Sequence, residues 1–348
     1  MTPRERELAA IRHEVPDRIP VDVICIEIQE QLAKHLGVEP TEVYDALGID
    51  GRLVAPGYTG AQRLGPCGQL LDPWGAGAWL DYGRAHWYPL ARVDTVAEVE
   101  GHLWPDPDDF DYAGAAAAAT AVGDRYAVRG PYWLPLFCRV CGLMGMEEAM
   151  VAMVTRPAVF EAVLEGVFGA TYEYCRRLLD ACGDAMPIFC LGDDFATQRG
   201  MMISPESWRR FLKPRFAELF AVGRSRGKFV WFHSCGDISA ILPDLIEIGV
   251  DVWETVQLHA LPMSAQELKR EYGRDLTFFG GINTQNLPHS SPAEVADEVR
   301  RRIEQLGAGG GYICGPDHHL KPDVGAPVAV ALFEAARNFR APGYSTLP

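Results

Sequence analysis

Four short apolar runs in this sequence end in side chains that can do chemistry. I-F-C-L-G (188–192) delivers Asp193 and Asp194, and F-V-W-F (229–232) delivers His233 and Cys235. D-V-W (251–253) delivers Glu254, and G-Y-I (311–313) delivers Cys314, with Asp317, His318 and His319 behind it. His233-Ser234-Cys235 is the sharpest local pattern. Residues i and i+2 of a strand point to the same side, so this imidazole and this thiol can share one metal ion. Cys314, at the end of the last strand of a closed barrel, would add a third ligand from across the mouth. Two thiolates and one imidazole suit tetrahedral Zn2+ with its fourth place open, the pattern of a catalytic site. Glu254 would fill that place when substrate is absent. The residues leave a plainer alternative open, in which a buried His233 is hydrogen-bonded to Ser234 or Asp237 and both cysteines are inert core thiols. Asp193 and Asp194 resemble a general acid/base pair, but adjacent strand residues face opposite ways, so at most one reaches a common site.

The elements that must position these groups read as β/α units. Strands are expected at Ile19–Ile24, Tyr126–Gly130, Pro187–Gly192, Lys228–Cys235, Val250–Thr255, Thr277–Ile282 and Gly311–Gly315. Their unalternating apolar runs suit a parallel sheet buried on both faces. Ser204-Pro205-Glu206 opens a helix as an N-cap with proline in its first turn, and Ser291-Pro292-Ala293-Glu294 is a capping box. Seven or eight parallel strands with intervening helices, and no early G-x-G-x-x-G, favour an α/β fold made of one (β/α)8 barrel spanning 1–348 as a single domain. The Gly-, Pro- and aromatic-rich stretch from about 50 to 112 is expected to form an irregular or hairpin insertion. In such a barrel, chemistry belongs at the C-terminal ends of the strands.

Composition narrows the partners. The 348 residues carry 32 Lys and Arg against 47 Asp and Glu, a net charge of −15 that repels phosphate backbones and argues against nucleic acid. No apolar stretch reaches the ~18 residues of a membrane span, and M-T-P-R-E-R-E-L has no apolar core behind its basic residues. A cytoplasmic protein is expected, monomer or homodimer. The nine cysteines are odd in number and scattered, unlike a disulfide framework. Cys138-Arg139-Val140-Cys141 is a C-x-x-C, read as helix packing because no second such pair accompanies it.

E-L-A-A-I-R-H-E-V-P-D-R-I-P-V-D near the start, G-D-D-F-A-T-Q-R-G-M-M-I-S-P-E-S-W in the middle, H-S-C-G-D-I-S-A-I-L-P-D-L, G-G-I-N-T-Q and G-P-D-H-H-L-K-P-D resemble the uroporphyrinogen decarboxylase superfamily, in the family's order. The Arg-rich Q-A-G-R element of the porphyrinogen decarboxylases is replaced by the acidic I-C-I-E-I-Q-E-Q. The chain is more similar to the zinc-containing, cobamide-dependent methyltransferases. That resemblance implies zinc on His233, Cys235 and Cys314 with Glu254 as the additional ligand, and a corrinoid (methylcobalamin or a corrinoid protein) as methyl carrier. It also implies a thiol acceptor activated as a zinc thiolate, with Asp193 and His318 handling protons or positioning substrate. Coenzyme M is the family's best-known thiol. Two other activities remain open: a corrinoid methyltransferase that takes methyl from methoxy compounds or methylamines, and a metal-free decarboxylase. A barrel that binds metal without turnover is also open. G-P-D-H-H departs from the A-P-S-H-N more usual in the superfamily.

Overall fold

The computed structural model describes residues 1–77 and 87–339, with the backbone of two short paired strands between them, Trp79–Asp81 and Arg84–Ala85. Seven strands form one parallel sheet in chain order: β1 (Gly51–Leu53), β2 (Ala127–Tyr132), β3 (Ile188–Gly192), β4 (Phe229–His233), β5 (Val252–Val256), β6 (Thr277–Ile282) and β7 (Tyr312–Pro316). Six of them lie within two residues of the expected positions. The short polar β1 falls inside the stretch expected to be irregular, where G-R-L carries no apolar signal.

A full strand over Ile19–Ile24 does not form. Pro20 has no N–H to give to a ladder, and the Asp22 carboxylate turns back onto the backbone N–H of Val23 (2.7 Å) and pairs with Arg129. The segment nevertheless joins the two edges of the sheet. The Cys314 N–H donates to the Pro20 carbonyl (2.9 Å), the Asp22 N–H to the Cys314 carbonyl (3.1 Å) and the Asp50 N–H to the Val21 carbonyl (2.9 Å). The result is a curled, TIM-barrel-like sheet. Asp50 secures the junction: its buried carboxylate accepts from the Val21 N–H (2.9 Å), from Arg6 (2.6 Å) and from Arg18 (2.9 Å).

Between β1 and β2 the chain makes a two-stranded antiparallel pair (Arg63–Leu64 with Leu70–Leu71), the second short pair already named, and a one-turn helix at Val96–Glu100. Much of residues 78–86, within the expected insertion, lies outside the described residues. Two apolar cores sit on either side of the sheet. A larger one lies between sheet and helices, and a smaller one inside the barrel holds Ile188, Trp231, Val252, Phe279 and Ile313. Helix α1 (Pro3–Ile11) closes the barrel's N-terminal end: its Leu8 and Ile11 join the inner core, and the Gly311 N–H donates to the Ala10 carbonyl (3.0 Å). Among the described residues no helix is long and apolar enough to cross a membrane.

Inside the barrel the Arg129–Asp22 ion pair is almost wholly buried (2% and 0% exposed). It passes directly over Gly51, where a Cβ would overlap both the Asp22 carboxylate and the Arg129 guanidinium. Separating a buried ion pair costs about 3–5 kcal/mol. Gly51→Ala should therefore destabilise the protein by about 3 kcal/mol, measured as a lower urea midpoint with the m-value unchanged.

Candidate metal centre at the barrel mouth

Strand parity decides which side chains meet. On β4, Trp231 belongs to the inner core, so His233, two residues on, also faces the barrel axis. β5 pairs His233 with Glu254 in register, which brings the two inward side chains side by side. His233 Nδ1 lies 2.8 Å from Glu254 Oε1, and the Tyr132 hydroxyl is 3.3 Å from the same nitrogen. The other ring nitrogen, Nε2, looks out toward the mouth, 3.5 Å from Cys235 Sγ and 3.7 Å from Asp194 Oδ1. Asp194 also accepts the Cys235 backbone N–H (2.8 Å), tying the end of β3 to the loop after β4.

Asp194, His233 and Cys235 thus offer three ligand atoms, all within 4.8 Å of one another. A tetrahedral zinc ion with bonds of about 2.0 Å to nitrogen or oxygen and 2.3 Å to sulfur sets its ligands about 3.5 Å apart, so the cluster fits one. Its chemistry points the same way. Burial pushes the Cys235 thiol up, only partly opposed by His233, so a nearby cation is needed to make it a thiolate at neutral pH.

The expected ligand Glu254 takes another role. Its second oxygen accepts the indole N–H of Trp231, so both oxygens are engaged away from the cluster. Burial opposes its charge, yet His233, Arg129 and Tyr132 outweigh that and hold it below the ordinary carboxylate range. Glu254 therefore fixes the orientation of His233, as carboxylates behind metal-bound histidines do.

Cys314 is not brought to the cluster. Ile313 faces the barrel interior, so Cys314 and Tyr312 point outward into the helix-facing core. There the thiol is fully buried beside Tyr312, and burial pushes it up to about 12. It stands in the middle of β7 and not at its end, and its parity is wrong for the mouth.

Asp193, too, is held away from the cluster. Its carboxylate accepts the backbone N–H groups of Leu136 (3.0 Å), Phe137 (2.6 Å) and Cys138 (2.9 Å), the otherwise unpaired donors at the start of helix α2 (Phe137–Met144). It faces away from the ligands, and its neighbour Asp194 reaches them. Cys138 and Cys141 sit in α2 as free thiols; Cys138 Sγ donates to the Asp194 carbonyl (3.3 Å).

His318 does lie in the mouth, with its ring 6.5 Å from that of His233. Its Nδ1 is buried and has no hydrogen-bond partner. Burial, then His319, His233 and Lys321, pull its pKa down to about 3, so the ring is neutral at pH 7. It borders a cavity of about 490 Å3 that is also lined by Trp133, Cys138, Asp194, Cys235 and Lys321. Tyr132 and Trp231 complete the support of His233 and carried no sequence signal, since an aromatic residue in an apolar strand reads as core.

The two adjacent aspartates should separate cleanly on mutation. Asp193→Ala strands three buried N–H groups and should cost about 2–4 kcal/mol of stability while sparing metal binding. Asp194→Ala should do the reverse. Chemical denaturation and metal titration of both variants check this.

The URO-D family model, described as uroporphyrinogen decarboxylase, matches residues 127–339, more than half the chain. Among solved structures, a methyltransferase from Methanosarcina mazei superposes with a TM-score of 0.72 at 18% identity, over 97% of this chain and 98% of that one. A psychrophilic glycoside hydrolase family 10 endo-β-1,4-xylanase covers 68% of this chain and 84% of its own at 8% identity, with a TM-score of only 0.40. No curated protein matches. The likeness to the first structure extends over the whole barrel, and the family match spans every strand from β2 to β7, including the residues that build the mouth. The chain belongs to the uroporphyrinogen decarboxylase family.

Proposed function

We propose that the protein is a zinc-dependent methyltransferase that moves a methyl group between a corrinoid and a thiol, with zinc held by Asp194, His233 and Cys235. The observation that carries this reading is the convergence of those three ligand atoms in a mouth where the His318 ring lies 6.5 Å from that of His233. Bound zinc would supply Lewis acidity, lowering the pKa of a thiol that takes its open position. The protein's own groups do the rest. Glu254 takes the Nδ1 proton of His233 as a hydrogen bond and leaves Nε2 free to bind. His318, held neutral in the mouth, can position the substrate; a ring pulled so far below its ordinary value is too weak a base to take the thiol's proton. A carboxylate in the place expected for Cys314 keeps the formal charge of zinc and its protein ligands at zero, so a bound substrate sulfur still carries negative charge.

A second reading gains from the same geometry. With Cys314 turned away, the cluster holds one thiolate rather than two. That less cysteine-rich set suits a zinc that polarises the leaving oxygen or nitrogen of a methyl donor, the corrinoid-loading reaction. The metal-free decarboxylase fares less well. Arg52 and Arg129, which line the mouth, are already paired with Asp45 and Asp22, so neither is left for a substrate rich in carboxylates.

Metal analysis by mass spectrometry on protein purified without added metal should find about one zinc per chain. The zinc should be lost in Asp194→Ala and Cys235→Ser and kept in Cys314→Ser. Absent metal, or metal indifferent to Asp194 and Cys235, would sink the reading. Glu254→Gln should weaken zinc binding about 10–100-fold without abolishing it. Methylcobalamin with a panel of thiols, against free cobalamin with methoxy compounds and methylamines, then separates the two transferase reactions.

A further inference from the structure

Outside the barrel, behind helix α2, the chain closes a cavity of about 330 Å3 between the segment that follows β1 and the long helix α3 (Pro157–Cys182). It shares no lining residue with the metal cavity. At the end of β2, Trp133 borders the metal cavity and Leu134 borders this one; on α2, Cys138 and Cys141 line the metal cavity while Arg139 lines this one. The far wall comes from the segment after β1, with Pro73, Trp74, Pro105, Pro107 and Phe110. Its three prolines fix their own backbone and have no N–H to present. Trp74 is held from three sides: its carbonyl lies 3.0 Å from His102 Nε2, its N–H donates to Asp72 (2.9 Å), and the Arg139 guanidinium lies 5.0 Å over its ring. Phe110 meets Tyr174 of α3 edge to face, with ring centres 4.8 Å apart. The walls are therefore aromatic and already in place.

One polar group on this wall has no partner in the protein. Thr171 is 1% exposed, lines the cavity, and its hydroxyl makes no hydrogen bond. A threonine inside a helix often returns its hydroxyl to the carbonyl four residues back. Thr120 does so to Ala116 (2.8 Å) and Thr155 to Val151 (2.9 Å). Thr171 does not, so a buried group that can both donate and accept stays open toward the cavity, which is costly unless something meets it. The charged pair on the wall is closed to a ligand. Arg139 donates to one Asp72 oxygen (2.6 Å), and the other oxygen takes the N–H groups of Trp74 and Ala76. An ionic ligand would find no unpaired counter-charge among the lining residues. Aromatic faces and one hydroxyl remain, and they suit a flat, uncharged ring that carries one hydrogen-bonding group.

We propose that this cavity is a ligand site for a small uncharged aromatic molecule, anchored by a hydrogen bond to the Thr171 hydroxyl and separate from the barrel mouth. The site does not depend on zinc or on the reaction at the mouth. The probe is phenol, set against toluene, which has the ring without the hydroxyl, and benzoate, which adds a charge. Titration by saturation-transfer NMR on the full chain should show phenol binding more tightly than toluene, and benzoate should not displace it. Thr171→Val keeps the shape of the side chain and removes its hydroxyl. It should weaken phenol about fivefold and leave toluene unchanged. Ala170→Trp fills the space from the helix side and should abolish binding of both, with the circular dichroism and zinc content of the parent protein. Crystals soaked in 4-bromophenol locate the ligand directly: the bromine anomalous peak should fall among Trp74, Phe110 and Tyr174. A bromine peak in the barrel mouth alone, ordered water alone beside Thr171, phenol affinity unchanged in Thr171→Val, or binding that survives Ala170→Trp would overturn the proposal.

Discussion

An imidazole has two nitrogens, and here one of them is committed: His233 Nδ1 is held by Glu254 at 2.8 Å. That bond leaves Nε2 as the only ring atom able to face Cys235 and Asp194, and it fixes the ring plane on which their separations depend. The bond is itself supported from inside the barrel. Trp231 donates its indole N–H to the other oxygen of Glu254, Arg129 lies 4.9 Å over the Trp231 ring, and Asp22 pairs with Arg129. The line from Asp22 to His233 therefore runs through the barrel interior, where water is excluded and an unpaired charge would be costly. Burying so many charges adds little to stability compared with an apolar core of the same volume. Their value here is geometric, since they hold one imidazole in one orientation.

The same dependence explains what could be read from the sequence. Buried parallel strands leave continuous apolar runs, so V-W-F-H and T-F-F-G-G-I mark β4 and β6 with little ambiguity. The closing segment is harder, because Pro20 and Asp22 break the ladder while the backbone of Val21 still bridges both edges. No apolar pattern encodes a junction held by three backbone bonds and the carboxylate of Asp50.

Side-chain direction is where strand positions alone mislead. His233 ends β4, whereas Cys314 stands in the middle of β7, where Ile313 takes the inward place and sends Cys314 to the helix layer. A one-residue difference in parity moves a side chain to the opposite face of the sheet. The aspartates show the converse limit. Parity says that only one of Asp193 and Asp194 can reach the mouth, and it does not say which. The choice belongs to helix α2, whose first N–H groups need an acceptor and take Asp193, and that demand arises some 55 residues away in the chain.

Replacing the expected second thiolate by a carboxylate has a chemical consequence of its own. Thiolates donate more electron density to zinc than carboxylates do, so an Asp-His-Cys set would leave a bound zinc a stronger Lewis acid at the same formal charge. A stronger Lewis acid binds an incoming thiolate more tightly and makes its sulfur a poorer nucleophile. The same property favours polarising a leaving oxygen or nitrogen. His318 bears on that balance: a neutral imidazole whose Nδ1 has no hydrogen-bond partner, in the same mouth, can join the ligands or stand clear of them. As a ligand it would return electron density to a bound zinc and restore the preference for thiol chemistry; standing clear, it would leave the Lewis acidity intact. On the proposed reading, the choice between the two methyl-transfer half-reactions therefore turns on one histidine in the loop after β7, in the sequence G-P-D-H-H.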